Sequence, residues 1–164
     1  MTEIRYRVEK VVKDALVAQD GSAAIVSTPL GPGYSTLVER PADYLAAVAA
    51  ARRVAYAAES LARDYAKRAR SGGRTWAEVA QVLQIDADSH DDPSMAAFLW
   101  VAPHPAQPYD SITAAWVCAS CGAWVTDRGP FGGHPDDVEE GHLDSCARHL
   151  DEVLEFRRQT GWDD

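Results

Sequence analysis

The sequence predicts an α+β fold, mainly helical, with a small strand-strand-helix unit near its C-terminal end. Three observations carry that expectation. Residues 41–70 are rich in alanine and hold no glycine or proline after Pro41, the composition of a long helix. Two later points carry helix-start chemistry, Thr75-Trp76-Ala77-Glu78 and Asp92-Pro93. Two short apolar runs, Ile112 to Val117 and Ala123 to Val125, flank a tight turn, as paired strands do.

Each element follows in order. In residues 3–19, Val8, Val11, Val12, Ala15 and Leu16 repeat at helical spacing, while Ile4, Tyr6 and Val8 alternate like a strand. The helix is favoured, ending at Asp20-Gly21. Residues 23–27 and 34–38 are β-type runs around a Pro- and Gly-rich segment, which predicts a hairpin. In the long helix 41–70, Pro41 suits the first turn and Ser71-Gly72-Gly73 the stop. Val54, Ala58, Leu61, Tyr65 and Ala69 form one apolar stripe, and Arg63, Lys67, Arg70 and Arg74 form a basic one. Thr75 and Glu78 make a capping box for a helix carrying Trp76, Val79, Ala80, Val82, Leu83 and Ile85. After an acidic turn, 86–92, Asp92 caps a short helix over 94–101 with Pro93 in its first turn. Pro103, Pro105 and Pro108 mark a linker, 102–110. The expected division is a helical domain, 1–101, and a C-terminal unit, 111–164.

The 164 residues suit one domain, or one domain plus a small appendage. The net charge of −9 is unevenly spread: residues 1–74 hold 12 basic and 8 acidic residues, and residues 75–164 hold 4 and 17. An acidic chain disfavours non-specific nucleic-acid binding, which phosphate neutralisation drives. A basic face confined to the first half can still touch phosphate through Arg63, Lys67, Arg70 and Arg74, although a solvated helix face explains the same pattern. No apolar run reaches the roughly 18–20 residues of a membrane span, and the charged N-terminus lacks a signal-type apolar stretch, so a cytoplasmic protein is expected. Arginine outnumbers lysine 13 to 3, and with the abundant alanine this usage resembles that of proteins from GC-rich bacteria such as actinobacteria.

Residues 73–101 resemble a bacterial helix-turn-helix module. In GRTWAEVAQVLQI, Ala77, Glu78, Ala80 and Leu83 fill the small, acidic, alanine and aliphatic places of the first helix in many regulators and in the promoter-binding region of sigma factors. That resemblance implies a DNA-binding transcriptional regulator. Two departures stand against base reading. The turn 86–92 is long and acidic, and SMAAFLWV offers one serine where a recognition helix presents polar and basic side chains.

The three cysteines are Cys118, Cys121 and Cys146, an odd count that does not suggest a disulfide framework. Cys118-Ala-Ser-Cys121-Gly122 is a knuckle in which two thiolates can converge while glycine lets the backbone turn. His142 and Cys146 are spaced i, i+4, which on a helix places imidazole and thiolate on one face. Together Cys118, Cys121, His142 and Cys146 supply four N/S donors, the closed tetrahedral set zinc prefers. His149, three residues after Cys146, could replace His142, and His134 is a further candidate.

Residues 111–156 resemble a Cys-Cys-His-Cys zinc finger with a strand-strand-helix body. The departure is a spacer of 20 residues between Cys121 and His142, longer than usual, which must form a loop. A four-ligand site leaves no position for water, so one structural Zn2+ per chain is expected. Glu139, Glu140, Asp144, Asp151, Glu152 and Glu155, read as lying on the finger's helix, point to a protein partner for the finger. Trp116, Trp124 and Phe131 exceed what so small a unit can bury alone, so it should pack on the helical part.

No phosphate-binding glycine loop, nucleophile elbow, metalloprotease helix or zinc-deaminase pattern occurs, so a non-enzymatic protein is expected. Two functions remain. One is a DNA-associated transcriptional regulator, favoured by analogy with the two families. The other is a protein–protein adaptor that uses acidic and aromatic surfaces without touching DNA.

Overall fold

A computed structural model describes residues 3–102, 112–131 and 133–161. The fold is α+β and mainly helical, and the chain divides into two compact units, residues 1–61 and 62–164. The predicted linker lies, from Pro103 onward, outside the described residues.

In the first unit, α1 (Glu3–Asp20) ends at Gly21, whose φ of 78° is the positive value glycine tolerates. A single 3-10 turn leads into β1 (Ile25–Pro29), which pairs antiparallel with β2 (Leu37–Pro41) in the register Ile25 to Pro41 and Pro29 to Leu37. Pro41 therefore closes a strand and does not open the long helix, α2 (Tyr44–Ser71). The start is set instead by Asp43, whose side chain accepts the amide N–H of Leu45 at 2.7 Å. Of residues 3–61, Leu16 and Ala50 are the buried pair. The apolar stripe of this helix is largely open: Leu61 and Tyr65 are exposed.

The second unit holds the end of α2, then α3 (Trp76–Val82) and α4 (Pro93–Val101). The capping box stands as read: Thr75 Oγ1 accepts the Glu78 amide at 3.2 Å, and Glu78 accepts the Thr75 amide at 2.7 Å. Asp92 accepts the Met95 amide at 3.0 Å ahead of Pro93. Between the helices Gln84 takes a left-handed φ of 59° that ends α3.

A three-stranded antiparallel sheet follows, β3 (Ala114–Val117), β4 (Trp124–Asp127) and β5 (Glu139–Glu140), in the order β3-β4-β5. A single turn, α5 (Pro135–Val138), leads into β5, and α6 (Ala147–Thr160) closes the unit. Glu139 and Glu140 are thus strand residues, and Asp144 sits in a turn, so of the expected helical acids only Asp151, Glu152 and Glu155 lie on α6.

One cluster of buried side chains joins the helix pair to the sheet. It includes Trp76, Phe98, Val101, Trp116 and Val125. Trp76 meets Phe98 edge-on at 5.4 Å and Trp116 at 6.4 Å between ring centroids, arrangements worth about 0.5–1.5 kcal/mol each beyond burial. The strand-strand-helix unit accordingly packs on the helices through Trp116. Trp124 and Phe131, expected to be buried with it, are 65% and 69% exposed. The cause is alternation: Trp124 lies one residue before the buried Val125, so it faces the other side of the sheet.

Candidate metal centre

The knuckle is a product of the β3–β4 hairpin. The Cys118 amide donates to the Ala123 carbonyl at 2.9 Å, the Gly122 amide to the Cys118 carbonyl at 2.8 Å, and Gly122 takes φ +73°. A second loop brings His142 to the same place. Gly141, at φ +101°, passes so close to the Trp124 carbonyl that a Cβ there would collide with it. Cys146 is the N-cap of α6, with its amide donating to Leu143 O at 2.8 Å. The expected pairing of His142 and Cys146 on one helical face is therefore corrected: His142 precedes the helix, and a turn at 144–145 folds it back.

The donor atoms of Cys118, Cys121, His142 and Cys146 all lie within 4.8 Å of one another, a group that could hold a metal ion. Cys118 and Cys146 Sγ are 3.9 Å apart, and Cys121 Sγ is 3.7 Å from His142 Nδ1. Cys118 and Cys146 are buried. The other two histidines proposed as donors serve elsewhere. His149 stacks on His142 at 4.5 Å and pairs through Nε2 with Asp136 at 2.6 Å. His134 accepts the Asp136 amide through Nδ1 at 3.3 Å and meets Phe156 edge-on.

The thiols differ in acidity. Amide N–H groups of Leu143 and Ala123, with His142 beside them, pull Cys121 down to about 6. Burial pushes Cys118 up, but the amides of Cys121 and Ser120 outweigh it and leave that thiol below the ordinary value. Burial raises Cys146. Burial alone would lower the His142 ring, yet its bond to Glu139 reverses this and raises it.

Glu139 is the residue sequence reasoning missed. His142 Nε2 lies 3.0 Å from Glu139 Oε2, which leaves Nδ1 turned to the sulfurs. A carboxylate behind a histidine in this way fixes the ring and its tautomer for a metal. Glu139 is itself 3% exposed and is held by Arg148 Nη2 at 2.7 Å and by Arg70. Arg70 also pairs with Asp127 at 3.2 Å. Asp127 and Glu139 are direct cross-strand partners in β4 and β5, a placement in which two like charges repel. The guanidinium between them turns that repulsion into attraction, and it holds Glu139 below the ordinary carboxylate range against the effect of burial. Burial dominates at Asp127 and raises it. A glutamate three residues before a histidine was the only sequence signal of this arrangement.

Of the four cations expected to meet phosphate, Arg70 is thereby corrected: it is 7% exposed and committed to two carboxylates. Arg63 donates to the Trp100 carbonyl at 2.9 Å and stacks its guanidinium over the Trp100 ring. Lys67 is half-buried, and Arg74 is exposed and paired with Glu78 at 3.0 Å. In α4, Ala97, Phe98 and Val101 are fully buried. A second feature absent from the sequence reading is an apolar groove of about 580 Å3 lined by Tyr65, Ala66 and Ala69 of α2 and Val79, Val82 and Leu83. Among the described residues no helix is long and apolar enough to cross a membrane.

Comparison with protein-family models, with curated proteins and with solved structures finds no match for this chain.

Proposed function

We propose that this chain is a non-enzymatic zinc protein, held by one structural Zn2+ on Cys118, Cys121, His142 and Cys146, that acts by binding another protein. The observation that carries the metal reading is the convergence of three thiols and one imidazole backed by Glu139. Zinc bonds of about 2.3 Å to sulfur and about 2.0 Å to nitrogen place tetrahedral thiolates about 3.8 Å apart and a sulfur–nitrogen pair about 3.5 Å apart. The separations of 3.9 and 3.7 Å lie close to those values, and with all four donors within 4.8 Å the remaining pairs would close by up to about 1 Å around the ion. Bound there, the ion would supply cross-linking of two loops to a hairpin and no catalysis, because all four positions are taken by protein.

A protein partner is favoured over DNA by two features. The helix in the recognition position, α4, spends its central side chains on the core and leaves the half-buried Ser94 as its one polar side chain for reading base edges. The groove between the end of α2 and α3 is apolar, with Val82 83% exposed beside it, which suits the apolar face of a partner helix. A cytoplasmic setting, where thiols stay reduced, accords with three free cysteines.

The second reading, a DNA-associated transcriptional regulator of the bacterial helix-turn-helix kind, is favoured by the excess of basic residues up to Arg74 and by the exposed Arg74 guanidinium. A gel-shift series at about 50 and about 200 mM salt separates the two. No shift at the lower salt is expected. A shift that weakens steeply with salt overturns the adaptor reading. Elemental analysis should find one zinc per chain, and its absence overturns the metal reading.

A further inference from the structure

The polar network behind the metal cluster does not stop at Glu139. The Oε2 of Glu139 faces His142, while its Oε1 takes Arg70 and Arg148. Arg70 Nη2 reaches onward to Asp127 Oδ2 at 3.2 Å, and its Nη1 donates to the carbonyl of Arg74. The same Asp127 oxygen accepts the indole N–H of Trp76 at 3.0 Å, and Asp127 Oδ1 accepts the Gly129 amide at 2.6 Å. Trp76 is the first residue of α3, and Arg74 lies just ahead of the Thr75 cap. One guanidinium therefore touches both the carboxylate behind a metal donor and the backbone that leads into a helix 60 or more residues earlier in the chain.

We propose that this is a relay, in which metal binding at the cluster and the seating of α3 are one coupled equilibrium carried by His142, Glu139, Arg70, Asp127 and Trp76. The inference rests on the zinc reading above and goes beyond a local staple. Arg70, Asp127, Glu139 and Trp76 are all buried, so each polar group is shielded from solvent and depends on its neighbour. An imidazole fixed by a metal holds Glu139 in one place. Glu139 fixes Arg70, and Arg70 and Asp127 fix the indole. Because α3 also forms one wall of the apolar groove through Val79 and Val82, the metal-loaded protein is the form in which that groove has a defined shape. Coupling is reciprocal: whatever loosens the seat of α3 must weaken the metal, although the indole N–H of Trp76 bonds Asp127 and not a donor atom.

The test measures zinc affinity of the full-length chain by competition with a chromophoric chelator. Trp76→Phe keeps an aromatic ring against Phe98 and Trp116 and removes the N–H donor. It should weaken zinc binding about fivefold or more, the lower end of ordinary coupling. In a Glu139→Gln background, where the relay is already cut, the same substitution should cost less than about twofold, since severed neighbours no longer interact. Wild-type affinity in Trp76→Phe overturns the relay. Equal losses in both backgrounds overturn it as well, because general loosening of the fold is additive. If circular dichroism shows Trp76→Phe unfolded, Asp127→Asn is carried through the same cycle with the same criteria. A wild-type chain that takes up no zinc fails the metal reading and the relay together. A zinc-binding wild type with an uncoupled Trp76 fails the relay alone.

Discussion

If the proposed zinc is bound, each of the four donors should be needed to hold it. Cys118→Ser and Cys146→Ser should each reduce zinc content to well below one per chain by elemental analysis, while His149→Ala should retain it, because His149 is bound to Asp136. Acidity gives a second check. Burial holds Cys146 above the ordinary thiol value, so zinc, if bound there, would have to displace its proton. Cys121, at about 6, joins only when the pH falls below that value. His142, raised above the ordinary imidazole value, competes for protons before Cys121 does, so affinity should decline as pH is lowered and decline more steeply once Cys121 also takes a proton, near pH 6. A titration whose slope is constant from pH 8 to 5 contradicts this order. Arg70 offers a third. Arg70→Met removes the one cation that Asp127 and Glu139 share, leaving Asp127 unpaired and Glu139 to Arg148, and should cost about 3–5 kcal/mol in urea unfolding, the usual penalty for breaking a buried pair.

Helices were the most legible elements, because their end signals are local. Thr75 and Glu78 stand three residues apart and close their box within one turn. Thr75→Ala should cost about 1 kcal/mol by thermal unfolding of the loaded protein. The chemistry of the metal centre was legible too, since thiols and imidazoles announce themselves by type. Its geometry was not. The spacing of His142 and Cys146 fits a helix equally well, and the turn between them depends on Gly141 slipping under the Trp124 carbonyl, a contact no local pattern encodes. Arg70 misled for the same reason. Its place beside Lys67 and Arg74 reads as a basic face, whereas its carboxylate partners lie 57 and 69 positions away. Gly129 is a comparable case: at φ +100° it sits so near Phe98 that a Cβ would lie 2.8 Å from the ring. Gly129→Ala should lower stability through both strain and overlap.

The two compact units differ in what holds them. Residues 62–164 combine an aromatic core, a buried ion network and the cluster of four candidate metal donors, whereas residues 3–61 bury Leu16 and Ala50. Structural zinc supplies roughly 10–16 kcal/mol of apparent binding energy at neutral pH, as much as the ~5–15 kcal/mol net stability of a whole domain. Chelation should accordingly raise amide exchange throughout α3, the three-stranded sheet and the start of α6. Exchange in α1 and in the β1–β2 hairpin should be rapid with or without metal, because little apolar contact protects it. Equal responses in both units, read by mass spectrometry, contradict that division.

The acid pair that faces across β4 and β5 also constrains how this sequence can drift. A neutral residue at position 70 strands the buried Asp127 and leaves Glu139 to Arg148, and a neutral residue at 127 or 139 alters the balance around Arg70. Single steps are therefore penalised, and the viable route is a joint replacement by apolar side chains of similar volume. Among descendants of a common ancestor, positions 70, 127 and 139 should be inherited as a set, with Trp76 lost only where Asp127 is lost. A deep mutational library scored for folded protein would show this as compensation: double and triple changes surviving where each single change is purged.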